Sequence, residues 1–194
     1  MTLANKITFI RVLGLPFFIY FLSREDFWNY LIAFILFMLL SSTDWIDGII
    51  ARKRREVTAF GQFMDPLADK LLVTSTLIYF VTVDWLKVSW WMVVIIILRE
   101  FIITGLRTVA AKRHISIPAL VSGKVKTTVQ MIVVVVILAI LVLKAGFIKW
   151  DIDAGRWGVI FKLPFYLILF AMLTTLYSGV SYVVKYSWLF KEEL

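Results

Sequence analysis

Residues 44–52 read DWIDGIIAR, and residues 61–69 read GQFMDPLAD after an interval of eight residues. These two acidic stretches lie among long apolar segments, and hydrophobic residues make up 61% of the 194-residue chain. Ordinary soluble domains are about half apolar, and a domain this small has too little interior to bury the excess. The composition therefore excludes a soluble globular domain and a disordered chain, and it predicts a protein embedded in lipid.

Six apolar segments are long enough, or nearly so, to cross a bilayer, since a helical span needs roughly 20 residues. They are residues 7–22, 27–43, 71–83, 90–111, 127–143 and 163–184. We expect an all-α integral membrane protein, a six-transmembrane-helix bundle with a short N-terminal amphipathic segment at 2–6. We expect a single domain over 1–194, in which the second span continues through the acidic stretch as one helix beyond the membrane.

Lysine and arginine residues predict the orientation, because cytoplasmic loops of membrane proteins carry an excess of them. With six spans both termini lie on one side, and the loops and termini of that side hold twelve Lys and Arg residues against six on the other. We therefore predict a multi-pass protein of the cytoplasmic membrane with both termini in the cytoplasm. The net charge of +8 then reflects this bias and an affinity for anionic membrane lipids, and no nucleic-acid partner is expected.

The first acidic stretch brings carboxylates and small residues together. On a helix, where successive residues are rotated by about 100°, Asp44, Asp47, Gly48 and Ala51 share one face. Arg52 lies at the edge of that face and can offer parallel N–H groups to a phosphate. Gly48 and Ala51 have no side chain or only a methyl group, which leaves room for a large polar group close to the backbone.

The second stretch adds two more carboxylates. Asp65 and Asp69 lie one turn apart, with Gly61 one turn before them, and Pro66 also allows Asp65 to be read as a helix N-cap. Four carboxylates on two neighbouring membrane helices repel one another and are costly to bury. Divalent cations would remove that penalty, and carboxylate ligands in a chain without cysteine suit Mg²⁺ or Mn²⁺.

The whole pattern over 44–69, D-x-x-D-G-x-x-A-R-x8-G-x-x-x-D-x-x-x-D, resembles the signature of the CDP-alcohol phosphotransferases and fits it at every position. Three further blocks resemble the bacterial branch of that family that makes phosphatidylglycerophosphate. They are NKITFIR at 5–11, LREFII at 98–103 and SGKVKTTVQM at 122–131. The resemblance implies six transmembrane helices with a polar active-site cavity facing the cytoplasm, commonly in a homodimer.

The resemblance also implies a role for each matching residue. Asp44, Asp47 and Asp65 would bind two divalent cations, Mg²⁺ or Mn²⁺. Asp69 would be the catalytic general base and would share in metal binding. The residues expected to contact or make room for CDP-diacylglycerol are Asn5, Thr8, Gly48, Ala51, Arg52, Thr58 and Gly61.

The implied reaction transfers the phosphatidyl group of CDP-diacylglycerol to the primary hydroxyl of sn-glycerol 3-phosphate and releases CMP. The doubly anionic acceptor needs a basic pocket, for which Arg107, Lys124 and Lys126, with Arg99 behind them, are the candidates. Two other interpretations stay open. Arg107 can pair with Glu100 on the same helix face, and the two lysines can be cytoplasmic anchors.

Other functions also fit parts of the sequence. Another member of the same family would use inositol phosphate, serine or phosphatidylglycerol as acceptor, and acceptor-dependent CMP release would distinguish these. A divalent-cation transporter lined by the four aspartates would not need Gly48, Ala51 and Arg52 at their spacing. A structural protein that binds anionic lipid through its basic loops would leave the acidic residues without a purpose.

Overall fold

The computed structural model describes residues 3–54, 59–112, 117, 118, 120–150 and 158–186, with side chains described for 9–42, 70–111, 117, 118, 120–150 and 158–186. The α-helices are α1 (Leu3–Leu22), α2 (Phe27–Arg54), α3 (Ala59–Thr82), α4 (Trp90–Lys112), α5 (Val121–Lys149) and α6 (Leu163–Tyr186). Short 3-10 helices at Asp84–Leu86 and Ile160–Lys162 precede α4 and α6. No strand occurs in these residues, so the all-α prediction is confirmed.

Each predicted apolar segment falls on a different α-helix. The predicted continuation of the second span is confirmed, because α2 runs from Phe27 to Arg54 and includes the first acidic stretch. The predicted lead-in at 2–6 is not a separate element, since α1 already begins at Leu3 and runs on to Leu22.

Two helical segments are long and apolar enough to cross a membrane, Val121–Lys149 and Ile160–Tyr186. Three shorter apolar stretches lie on the first three helices, at Phe9–Leu22, Phe27–Ser42 and Lys70–Thr82. Large apolar side chains face outward on α6, where Tyr177 is 71% exposed and Val184 is 68% exposed. Contiguous apolar surface of this kind is unfavourable in water and suits contact with lipid chains.

One compact unit comprises residues 1–80 and 134–161. In it α1 packs on α2, with the Phe18 and Phe37 ring centroids 5.9 Å apart. The Tyr30 and Tyr79 hydroxyl groups are 2.9 Å apart and join the start of α2 to the end of α3. This contact brings the start of α2 to the end of α3, and the two acidic stretches lie in the C-terminal half of α2 and the N-terminal half of α3.

The opposite end of α2 is capped by a loop carboxylate. Asp26 Oδ1 accepts a hydrogen bond from the Asn29 backbone N–H at 3.0 Å, and this bond lowers the pKa of Asp26. Beside it the Lys149 ammonium lies 4.4 Å from the ring centroid of Trp28. Amphipathic tryptophan and a nearby cation are typical of a membrane–water boundary.

The other compact unit comprises residues 81–133 and 162–194, so α5 contributes to both units. In it α4 packs against α6. Its hydrophobic cluster consists of Ile103, Leu106, Ala110, Tyr182 and Tyr186, with Ile117 and Leu120 packed against them. The cluster brings α4, the segment before α5 and α6 together around one tyrosine, Tyr182.

Candidate active site

The acidic signature lies on consecutive helices of the first unit. Asp44 and Asp47 lie one turn apart in the C-terminal half of α2, and Asp65 and Asp69 lie one turn apart in α3. The alternative reading of Asp65 as an N-cap is wrong, because α3 begins at Ala59, well before it. The side chains of residues 1–8 and 43–69 are outside the described part of the structure.

The predicted CDP-diacylglycerol contacts fall on the same helices. Asn5 and Thr8 lie on α1, which packs against α2. Gly48, Ala51 and Arg52 lie on α2 together with the first pair of aspartates. Gly61 lies on α3. Thr58 falls in 55–58, outside the described residues.

The chemistry of the signature residues fits a hard divalent cation. Two acids one turn apart on each of two antiparallel neighbouring helices offer only carboxylate oxygens, the ligands that Mg²⁺ and Mn²⁺ prefer. Within the ranges given above for side chains, no other group of three or more acidic or histidine residues could hold a metal ion. The signature is therefore the candidate metal centre.

Two of the predicted acceptor residues meet in the second unit. The guanidinium carbons of Arg99 and Arg107 lie 5.6 Å and 5.4 Å from the ring centroid of Tyr182. Arg99 Nη2 donates a hydrogen bond to Ser178 Oγ at 2.6 Å, and Arg107 Nη2 donates one to the Tyr182 hydroxyl at 2.6 Å. Residues from α6 thus hold both arginine side chains of α4.

The two guanidinium groups form a positive site suited to an anion. They lie around the same ring and repel each other, and among the residues with described side chains neither has a carboxylate partner. Arg99 Nε is buried and has no hydrogen-bond acceptor there. A bound phosphate would relieve the repulsion and accept charge-assisted hydrogen bonds from both groups.

The predicted lysines differ from each other. Lys126 on α5 is only 2% exposed and forms an ion pair with Glu100 on α4, whereas Lys124 is exposed. The possible Glu100–Arg107 pair is not formed, because Glu100 binds Lys126 and Arg107 binds Tyr182. Because Glu100 directly follows Arg99 in the sequence, this ion pair joins Lys126 to the part of α4 that carries Arg99.

Sequence reasoning missed the α6 residues of this site. Ser178 and Tyr182 lie one turn apart, and Gly179 makes room for Arg99, since a Cβ at that glycine would lie 3.0 Å from Arg99 Cγ. The available signal is a serine and a tyrosine at helical spacing in a span that is otherwise mostly apolar. Their partners on α4 could not be identified without knowing that α4 packs against α6.

The sequence is similar to proteins of one known family. The family model described as CDP-alcohol phosphatidyltransferase matches residues 1–190. Three curated relatives carry the name CDP-diacylglycerol–glycerol-3-phosphate 3-phosphatidyltransferase.

The relative from Bacillus subtilis is 43% identical over 148 residues, which are 70% of this chain and 76% of the relative. The relative from Sodalis glossinidius is 38% identical over 143 residues, covering 71% of this chain and 77% of the relative. The relative from Pseudomonas fluorescens is 35% identical over 148 residues, covering 72% of this chain and 73% of the relative.

Proposed function

This chain belongs to the CDP-alcohol phosphatidyltransferase family, and from that premise we propose that it transfers the phosphatidyl group of CDP-diacylglycerol to sn-glycerol 3-phosphate. The products are phosphatidylglycerophosphate and CMP. The observation that carries this proposal is the complete signature at 44–69, placed on α2 and α3 of a chain that the family model matches over 1–190. The names of the relatives support the choice of acceptor.

In this proposal Asp44, Asp47, Asp65 and Asp69 hold two Mg²⁺ or Mn²⁺ ions. When bound, such ions neutralise the diphosphate and the charge that develops on the leaving group. The residues of this chain that bind or make room for CDP-diacylglycerol are Asn5, Thr8, Gly48, Ala51, Arg52, Thr58 and Gly61.

Asp69 acts as the general base. Its carboxylate removes the proton from the primary hydroxyl of the acceptor, and the hydroxyl oxygen attacks the phosphorus that carries the diacylglycerol. The new oxygen–phosphorus bond forms as the bond to CMP breaks, and CMP leaves with the electron pair. We favour this direct attack over a covalent enzyme intermediate, because the signature contains no serine, cysteine or histidine nucleophile.

The acceptor phosphate binds to Arg99 and Arg107, and Lys124 and Lys126 are the further basic residues of the proposed pocket. The described contacts favour the arginines, because both surround Tyr182 and lack carboxylate partners among the described side chains. Lys126 on α5 is joined to α4 by its ion pair with Glu100. Glu100 also keeps the buried ammonium of Lys126 neutralised before the substrate arrives.

We further propose that all six helices cross the cytoplasmic membrane as one domain over 1–194, with the termini and the active site facing the cytoplasm. The exposed apolar faces and the distribution of Lys and Arg support this arrangement. The proposal includes a homodimer, as the family resemblance implies.

An acceptor panel tests the function directly. The purified protein is given CDP-diacylglycerol and Mg²⁺ or Mn²⁺, and CMP release is measured with glycerol 3-phosphate, inositol phosphate, serine or phosphatidylglycerol. We expect release with glycerol 3-phosphate alone, together with one equivalent of phosphatidylglycerophosphate. Faster release with another acceptor would assign the chain to a different reaction of the same family.

A further inference from the structure

Tyr182 is the residue at which three elements of the second unit meet. Its hydroxyl oxygen accepts hydrogen bonds from Arg107 Nη2 on α4, at 2.6 Å, and from the backbone N–H of Leu120, at 2.8 Å. Leu120 directly precedes α5, so one phenol ties α6 to both other segments. The side chain is 1% exposed, which leaves its position determined by these contacts.

The sequence of α5 makes space for this ring. A Cβ at Gly123 would lie 3.2 Å from both Cε2 and the hydroxyl oxygen of Tyr182, closer than ordinary van der Waals contact. Gly123 therefore allows the tyrosine to approach α5 while its ring faces the guanidinium groups of Arg99 and Arg107. A ring that faces two cations offsets part of their mutual repulsion through its negative π-face.

We infer that Tyr182 is a positioning residue for the acceptor phosphate, because it holds Arg99 and Arg107 side by side before the acceptor arrives. This inference rests on the proposed function, in which the two arginines bind the phosphate of glycerol 3-phosphate. Long arginine side chains lose considerable freedom when they are ordered, so a preformed pair binds its ligand more tightly than a mobile pair. Tyr182 acts through the arginines and does not touch the reacting atoms.

The first test is Tyr182→Phe, which keeps the ring and removes the hydroxyl. We expect the KM for glycerol 3-phosphate to rise about tenfold, the effect of losing a hydrogen bond to a charged group. We expect kcat and the KM for CDP-diacylglycerol to stay within about twofold of the unsubstituted protein, since the arginines would still bind saturating acceptor. A purely structural role would lower kcat through loss of folded protein and leave the KM unchanged, and that result would overturn the inference.

Tyr186→Phe is the matched control. Tyr186 lies one turn further along α6, belongs to the same hydrophobic cluster, and has its ring centroid 6.1 Å from that of Tyr182. Its substitution removes a hydroxyl from the same helix and leaves both hydrogen bonds of the Tyr182 hydroxyl in place, so the KM for glycerol 3-phosphate should not change. An equal rise in KM for both variants would contradict a specific role for Tyr182.

A double-mutant cycle with Arg107→Ala separates this inference from the proposed function. If Tyr182 acts through Arg107, Tyr182→Phe raises the KM in the unsubstituted protein but has little further effect in the Arg107→Ala background. If Arg107→Ala raises the KM and the effect of Tyr182→Phe is the same in both backgrounds, the acceptor pocket stands and the inference fails. If Arg107→Ala leaves the KM unchanged, the proposed pocket fails and the inference fails with it.

Gly123→Ala tests the same contact if Tyr182→Phe folds poorly. The added Cβ displaces the phenol from the α5 side without removing any hydrogen-bonding group. We expect a rise of a few-fold in the KM for glycerol 3-phosphate, with the KM for CDP-diacylglycerol within about twofold of that of the unsubstituted protein. An unchanged KM would count against the inference.

Discussion

Arg107 carries its charge without a carboxylate partner among the residues whose side chains are described. A cation of this kind is available to a substrate anion. Arg107→Ala should therefore raise the KM for glycerol 3-phosphate by about 30-fold, because charge-assisted hydrogen bonds to phosphate are the strong ones. The measurement is the dependence of CMP release on acceptor concentration at saturating CDP-diacylglycerol.

Arg24→Ala is the control for that substitution. Arg24 lies in the loop between α1 and α2, where it donates a hydrogen bond to the Tyr20 hydroxyl. Arg24→Ala should leave the KM for glycerol 3-phosphate unchanged. If Arg107→Ala behaves like Arg24→Ala, the acceptor phosphate binds elsewhere.

Asp69 is the residue on which the proposed chemistry depends. Asp69→Asn keeps an oxygen ligand but cannot accept the proton of the acceptor hydroxyl. We expect kcat to fall by about 10²–10⁴-fold, the usual contribution of a general base, while CDP-diacylglycerol still binds. Turnover and equilibrium binding of the nucleotide lipid are measured on the same preparation, and near-normal turnover would reject Asp69 as the base.

The Glu100–Lys126 pair gives a prediction about stability. Glu100→Gln leaves a nearly buried ammonium without this carboxylate, and we expect it to lower the free energy of unfolding by about 3 kcal/mol. Lys126→Met in the same chain removes the other charge. The double variant should then lose less stability than the sum of the two single variants, and strictly additive losses would show that the pair does not couple.

At the scale of the helices, close packing of α1 on α2 depends on Gly14. A Cβ at Gly14 would lie 2.9 Å from Leu40 Cδ2, whereas a Cβ at Gly105 on α4 meets no atom within 4 Å. Gly14→Ala should therefore destabilise the protein by about 1 kcal/mol as Leu40 is displaced. Gly105→Ala, the matched control, should be neutral or stabilising, since alanine favours helix. Melting temperatures in the same detergent compare the two, and equal shifts would contradict the packing argument.

The helices themselves could be predicted from sequence because apolar runs of this length have few alternatives in lipid. The start of α3 stayed open, since Pro66 fits a first helical turn but also the interior of a helix that begins near Gly61, and the helix begins at Ala59. The partners of Glu100 and Arg107 also could not be predicted. Their spacing on α4 allows a pair within the helix, and only the packing of other helices gives each a different partner.

For the molecule as a whole, the signature is typical of the family and carries the proposed chemistry, but the proposed acceptor site depends on tertiary structure. Sequence reasoning identified Arg99, Arg107 and Lys126 from charge alone. It could not find Tyr182, because a tyrosine in an apolar span usually packs in the core or lies at the membrane boundary. The basic residues gain a common role only when α4 packs against α6 and Tyr182 contacts both arginines.

The proposed mechanism requires carboxylates of α2 and α3 to share divalent cations that bind the diphosphate of CDP-diacylglycerol. Anomalous diffraction at the manganese edge, from crystals grown with Mn²⁺ and CDP-diacylglycerol, detects such ions. We predict two manganese peaks coordinated by Asp44, Asp47, Asp65 and Asp69 and by oxygens of the diphosphate. Bound nucleotide with no manganese between these four side chains, or with their oxygens too far apart to share an ion, would contradict it.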